Sequence, residues 1–456
     1  MDQTGQSNPL GEAPLFKLIC KFAIPSMISL LASAIYNITD QMFIGHQVGV
    51  LGNAATNVAF PVVTLATAIS QLVGVGTAAH FNICQGAGQE SDAKRFIGNG
   101  LGFMCCAGVV MMGALFLFKL TILNLCGVTD EVFNYANLYL SVTLFGIPFF
   151  IFFTAGSFLI RADGSPRYAM GCSMTGALLN VVLDALFMLV FKWGIFGAAL
   201  ATVLSQGVSG TLCLWYFNRF RAFKIKWQDL RLQPTYVWEI AKLGFPNCLT
   251  HFLMMVVNVL MNHTLVFYGA QSLYGSAIPL AVSGVVAKLY TILSACSIGL
   301  AQGCQPIWGF NKGAKNYRRV KETFKKAMMM GLMFSFTAFL LFQLFPRQIV
   351  GIFGGGGELY FQFATKYMRI YLMLICVVGV QPLIVNFFTS TKKMKQSMIL
   401  SLARQGLFHI PLILLFPMWL GIDGVLYVGP IADFLTFMLS IILIMRYFKE
   451  LNESEF

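Results

Sequence analysis

Twelve apolar runs long enough to cross a bilayer dominate this chain. They lie near 19–44, 58–84, 97–123, 133–160, 168–191, 196–217, 245–268, 280–303, 324–345, 363–388, 396–418 and 424–447. About 20 helical residues cross the hydrocarbon. Backbone groups in lipid must bond within their own segment, so each run is predicted to be a helix. Composition excludes the soluble alternative: only 11% of residues are charged, against about 25% in soluble domains. The first run follows a polar stretch from Met1 to about Gly11. It is too long for a signal-peptide core and no small-residue cleavage site follows, so it is expected to remain as the first span. The 11 cysteines sit mostly inside apolar runs and form no CxxC pair, so they read as small apolar residues.

Loop charge sets the expected topology. With the N-terminus in the cytoplasm, 24 of the 31 Lys and Arg residues fall on the cytoplasmic side and 5 on the other. The 24 include Arg161 and Arg167, assigned to the loop between spans 4 and 5. Lys288 and Arg404 lie inside helices. This asymmetry predicts two cytoplasmic termini. It also explains the net charge of +13 by membrane orientation, and argues against nucleic acid as a partner.

The chain repeats. Lys21-Phe22-Ala23-Ile24-Pro25 opens span 1, and Lys242-Leu243-Gly244-Phe245-Pro246 opens span 7, 221 residues later. Gly74 to Gly88 matches Gly299 to Gly313 at an offset of 225. Gly194-Ile195-Phe196-Gly197 matches Gly421-Ile422-Asp423-Gly424 at 227, and Pro148 matches Pro382 at 234. Ordered landmarks at near-constant offset indicate a duplicated unit of six helices. An even number makes the repeats parallel, with a site expected between them. The expected fold is an all-α polytopic membrane protein of twelve transmembrane helices in two pseudo-symmetric six-helix bundles, residues 1–230 and 231–456.

Charges within the membrane cost at least about 2.5–3.5 kcal/mol and need a reason. Asp40 follows Tyr36 and Asn37 on one face of span 1, and Asp184 follows Asn180 on one face of span 5. Two carboxylates backed by carboxamides suit Na⁺ or protons; the alternative is hydrogen bonding between helices. The second half lacks these acids: Met261 matches Asp40 and Ile413 matches Asp184, while Asn258 matches Asn37 and His409 matches Asn180. Ion coupling is therefore expected in the first half and cavity shaping in the second. Tyr36, Asn37, Asn258, Lys288, Gln302, Gln305, Asn386 and His409 are candidate cavity residues. Lys288 is expected to pair with Asp433, the alternative being a free cavity charge. His251, His263 and His80 read as bonded packing residues. No GxxxxGK[ST], HExxH or GxSxG motif occurs, so nothing favours an enzyme.

From about Phe16 to Phe448 the sequence resembles the bacterial branch of the multidrug and toxic compound extrusion (MATE) family. The most specific stretch is Gln302-Gly303-Cys304-Gln305-Pro306-Ile307-Trp308-Gly309-Phe310-Asn311-Lys312-Gly313-Ala314. Tyr36-Asn37-Ile38-Thr39-Asp40 and Arg161-Ala162-Asp163-Gly164-Ser165-Pro166 add to it. The resemblance implies a MATE/MOP-type fold whose lobes open alternately to each side, exporting cationic and amphipathic drugs against Na⁺ or H⁺. It implies a cation site at Asp40, Asn180, Asp184 and Thr202, with Tyr139 nearby, holding Na⁺ if coupling is to sodium. No cofactor is expected beyond the coupling ion. The expected setting is a monomer in the bacterial plasma membrane, with organic cations or drugs and the bilayer as partners. Two rivals are a lipid-linked flippase of the same superfold and a non-transporting receptor or scaffold. A flippase needs a strongly cationic cavity, and the sequence offers only Lys288 and Arg404 for it, which argues against that rival.

Overall fold

The computed structural model describes residues 8–125, 130–352 and 357–453. Eleven helices among them are long and apolar enough to cross a membrane, and a bent pair supplies a twelfth span. In chain order they are α1 (Leu15–Gln47), α2 (Leu51–Gly86), α3 (Glu90–Leu117), α4 (Asp130–Ala162), α5 (Pro166–Val190), α6 (Gly194–Phe217), α7 (Pro234–Ala270), α8 (Ala277–Gly313), α9 (Tyr317–Leu344), α10 (Glu358–Tyr371 with Ile375–Ser390), α11 (Met394–Leu420) and α12 (Ile422–Glu453). All twelve sequence-predicted spans are present. Several helices outrun their apolar runs because a helix continues past the hydrocarbon wherever its ends find partners. Span 3 errs in the other direction: α3 stops at Leu117, and the predicted continuation is a separate short helix, Lys119–Leu125. Leu117, Met333 and Trp419 are among many large apolar side chains left exposed around the outside, as a lipid-facing surface requires.

The two ends of the described residues lie on one face of the bundle. The Asn311 amide at the end of α8 donates to the Leu10 carbonyl at 2.9 Å, and Lys393 between α10 and α11 pairs with Glu450 near the end of α12 at 2.6 Å. On this terminal face the two halves meet backbone to backbone. A Cβ on Gly86 of α2 would overlap the Phe310 carbonyl of α8, and a Cβ on Gly313 of α8 would overlap the Ile83 carbonyl of α2. A shift of 227 residues converts one contact into the other. Gly76 of α2 meets Ile240 and Gly244 of α7, and Gly303 of α8 meets Phe22 and Ala23 of α1. Small residues permit such close approach, which side chains would otherwise hold apart.

These reciprocal contacts correct the repeat register. Gly86, not Gly88, is the mate of Gly313. Gly88 and Lys315 are the matching residues beyond the two helix ends, both left-handed at φ 72° and 57°. The second unit places a lysine where the first has glycine, so a glycine-to-glycine match slips by two positions.

The first helix of each bundle crosses to the other. Leu15, Leu18, Ile19 and Phe22 of α1 are buried with Trp308, Phe324 and Phe387 of α8, α9 and α10. Ile240 of α7 is buried with residues of α2, α3, α4 and α6. The fourth helix of each bundle is interrupted. In α4 a 3₁₀ turn, Leu144–Gly146, precedes Pro148, and α10 bends by 53° before Pro382. Each proline occupies the second position of the helix that follows, where its missing N–H costs no helical bond. The fifth helix of each bundle contains a π-helical turn, at Ala185–Val190 in α5 and Ala403–His409 in α11. Such turns recur at functional sites.

Candidate functional site

A cavity of about 540 Å³ opens between the bundles. Its walls include Tyr36 and Asn37 of α1, Asn180 of α5, Thr202 of α6, Gln302 of α8 and Asn386 of α10. Phe150, Phe153, Phe158, Met254 and Ile298 supply apolar surface. A largely apolar wall with a few polar groups is the usual chemistry of a small-molecule site.

Asp40 and Asp184 lie behind this wall. Asp184 is fully buried, and neither of its oxygens has a hydrogen-bond donor. Asp40 is half-buried, with Oδ1 likewise unpartnered. Both polar atoms of the Asn180 side chain, one turn before Asp184, are unpartnered too. The two carboxyl groups face each other. The Tyr139 hydroxyl faces both of them and Thr202, and Tyr36 adjoins Asp40. The sequence-predicted cation-coupling residues therefore come together. Facing carboxyls repel unless a proton or cation lies with them, and buried carboxylates without donors are costly. The surrounding donors are carboxylate, amide and hydroxyl oxygens, which suit Na⁺ or a shared proton. Among the described residues no three His, Cys, Asp or Glu gather as a metal cluster.

The second bundle places its charges differently. The Arg404 Nε donates to Asp433 Oδ1 at 2.9 Å and its Nη2 to the Tyr290 hydroxyl at 3.0 Å. Arg404, not Lys288, is thus the partner of Asp433. Lys288 lies on α8 nearer the far face, in a separate shallow pocket with Gln41, His46 and Asn53. The reason is reach: Arg404 sits on α11, which packs beside α12, and its planar fork can bond an acid and a phenol at once.

Four other expectations change. Asn258 is exposed and does not line the cavity. Gln305 also lies off the wall and donates to Asn386 Oδ1 at 2.6 Å, holding a residue that does line it. His409 is buried without lining the cavity, and both ring nitrogens are unpartnered. His251, expected as a packing residue, lines the wall with Asn247.

The sequence reading missed Arg161. Counted as a loop charge, it is only 5% exposed and lies on the cavity wall at the last turn of α4. Its neighbour Asp163 points away into the loop. There it accepts from the Tyr216 hydroxyl at 2.7 Å and from the Arg221 and Ala222 backbone N–H groups at 2.7 and 3.0 Å. Burial nevertheless pushes the Asp163 carboxyl up to about 6.

Two six-helix bundles around a central cavity, with buried charges near its walls, define a polytopic membrane transporter rather than an enzyme. The MatE family model matches the chain twice, over residues 25–186 and 244–415, so the chain belongs to the MATE family. The multidrug export protein MepA of Staphylococcus aureus is 24% identical over 435 residues, covering 95% of this chain and 94% of that protein. Its Staphylococcus haemolyticus counterpart is 24% identical over 92% of this chain and 91% of its own. Among solved structures, a MOP superfamily transporter from Pyrococcus furiosus, described as having a binding pocket of reverse polarity, superposes with a TM-score of 0.90. It is 21% identical, covering 97% of this chain and 98% of that one.

Proposed function

We propose that the chain is a cation-coupled multidrug antiporter of the bacterial plasma membrane, monomeric, with lobes of residues 1–230 and 231–456. The relatives' role in multidrug export supports the first part, and the predominance of Lys and Arg in the terminal-face loops supports cytoplasmic termini. The observation that carries ion coupling is the Asp40–Asp184 pair, one half-buried and one fully buried carboxyl that face each other with unpartnered oxygens. A proton or Na⁺ entering from outside settles there as cargo. Tyr36, Asn180 and Thr202 belong both to that cluster and to the cavity wall, so binding on either side of the wall alters the other. Mutual weakening of cation and substrate binding is what antiport requires, and by linkage it is reciprocal. One inward charge contributes about 2.3 kcal/mol per 100 mV, enough for roughly a 50-fold substrate gradient. The glycine contacts on the terminal face form the seal that must part when the cavity faces inward.

Efflux of a fluorescent amphipathic dye from proteoliposomes, with sodium and proton gradients imposed separately, tests the reading. Efflux driven by one gradient and lost in Asp184→Asn supports it and identifies the ion. Undiminished efflux in Asp184→Asn sinks the assigned site, and no gradient-dependent efflux sinks antiport.

A further inference from the structure

The charge on the cavity wall is of one sign. Among the described residues no Asp or Glu lines the cavity, since Asp40 and Asp184 stand behind it. The charged side chains that do line it are Arg404 and Arg161. Arg404 is neutralised by Asp433. Among the described residues Arg161 has no such partner: its guanidinium makes no ion pair and no hydrogen bond, and its Nε is buried and unpaired. The guanidinium carbon lies over the Phe158 ring, 4.7 Å from its centroid. Counted back three residues from the left-handed residues that follow the two helices, Gly164 and Lys392, the same position in the second bundle is Thr389, whose hydroxyl is satisfied by the Val385 carbonyl and Ser397. A structural role at the α4 terminus accounts for part of this arrangement, since the last carbonyls of a helix attract a cation. That field is worth about half a charge and leaves the fork itself unbonded. An unpaired buried cation costs free energy, and a planar fork of N–H donors matches a carboxylate or phosphate.

We propose that Arg161 is a specificity-determining residue: it binds the anionic group of an amphipathic substrate whose apolar body rests on the aromatic wall. The ligand class is a small organic molecule or lipid with one carboxylate or phosphate. Zwitterions fit best, with the anionic end toward the terminal face at Arg161 and any cationic end toward the Asp40–Asp184 side. This specificity rests on the transporter reading, but binding tests it without transport.

The test uses the purified full chain in detergent and two rhodamine dyes, one with a free carboxylate and the other its methyl ester. Fluorescence anisotropy gives both dissociation constants. The acid is expected to bind about tenfold more tightly than the ester, as a charge-assisted bond allows. Arg161→Gln should reduce that preference to about twofold or less by weakening the acid alone, while Arg161→Lys keeps most of it. Equal affinity of both dyes for the wild type overturns the proposal, as does an equal loss of both in Arg161→Gln, which marks a structural role. If neither dye binds, the cavity reading falls with it. If the ester binds and is driven out by gradients with no acid preference, antiport stands and this inference alone fails. Displacement of the acid by short-chain phosphatidylglycerol but not by phosphatidylcholine assigns the anion to a lipid headgroup; no displacement by either assigns it to a soluble compound.

Discussion

In the first bundle Asp184 adjoins a π-helical turn of α5, with neither oxygen paired. In the second, the π-helical turn of α11 lies about three helical turns earlier in the repeat register and carries Arg404, bonded to Asp433 and Tyr290. Both fifth helices contain a π-helical turn, though at different positions, and the glycine contacts that join the bundles are shared. What differs is whether the buried charge is answered from within the protein. An unanswered charge is available to a mobile ion; an answered one holds helices together. Duplication thus kept the packing and let the electrostatics diverge.

The largest expected effect that would break this comparison is on transport. Asp184→Asn should reduce gradient-driven efflux at least about 100-fold, whereas Ile413→Val, its counterpart in α11, should leave efflux within about twofold, since it removes one methylene. Both are read from initial rates in proteoliposomes. Comparable losses would mean that coupling is not confined to the first bundle.

Stability should show the opposite asymmetry. Asp433→Ala strands the Arg404 charge and is expected to cost about 3–5 kcal/mol, seen as a lower unfolding midpoint in detergent. Asp184→Asn removes a buried charge that had no partner and should not lower the midpoint. A destabilised Asp184→Asn would show that this carboxyl is structurally answered after all.

The symmetric part of the comparison can be sharpened at the seal. Gly86→Ala and Gly313→Ala each place a methyl against the other bundle's backbone, at an expected cost of about 1–3 kcal/mol. Labelling of a Gln302→Cys reporter from the terminal face should rise in both. Similar increases support equivalent roles, while a response from one alone would show that the seal is carried by one side.

The smallest effect concerns Asp163. Burial raises its carboxyl to about 6 from an ordinary 3.8, so the folded protein holds this proton more tightly than the unfolded chain. Its contribution therefore favours the folded state below about pH 4 and fades between about pH 4 and pH 6. Asp163→Asn should flatten the pH dependence of the unfolding midpoint across that window. An unchanged slope would assign the dependence to other groups.

Most of the architecture was legible because lipid leaves the backbone few choices. Twelve apolar runs gave twelve spans, and ordered repeat landmarks gave the duplication, although one glycine match slipped by two residues. Asp40, Asn180 and Asp184 were legible because polar residues in apolar helices stand out, and Thr202 and Tyr139 through the family resemblance. Arg161 was hidden by its position: at the edge of an apolar run, a cavity cation reads as a loop charge. Which partner answered Asp433 depended on which helix packed beside α12, and no periodicity encodes that. The pairing of Gln305 with Asn386 and the placement of His251 on the wall were illegible for the same reason.

The crossing of α1 into the second bundle has a consequence for biogenesis. Leu15, Leu18, Ile19 and Phe22 are made nearly 300 residues or more before their neighbours on α8, α9 and α10. Until then that surface has only lipid or an insertion factor to cover it. The first bundle is consequently an incomplete folding unit, and the chain closes on its own beginning only when its last helices arrive.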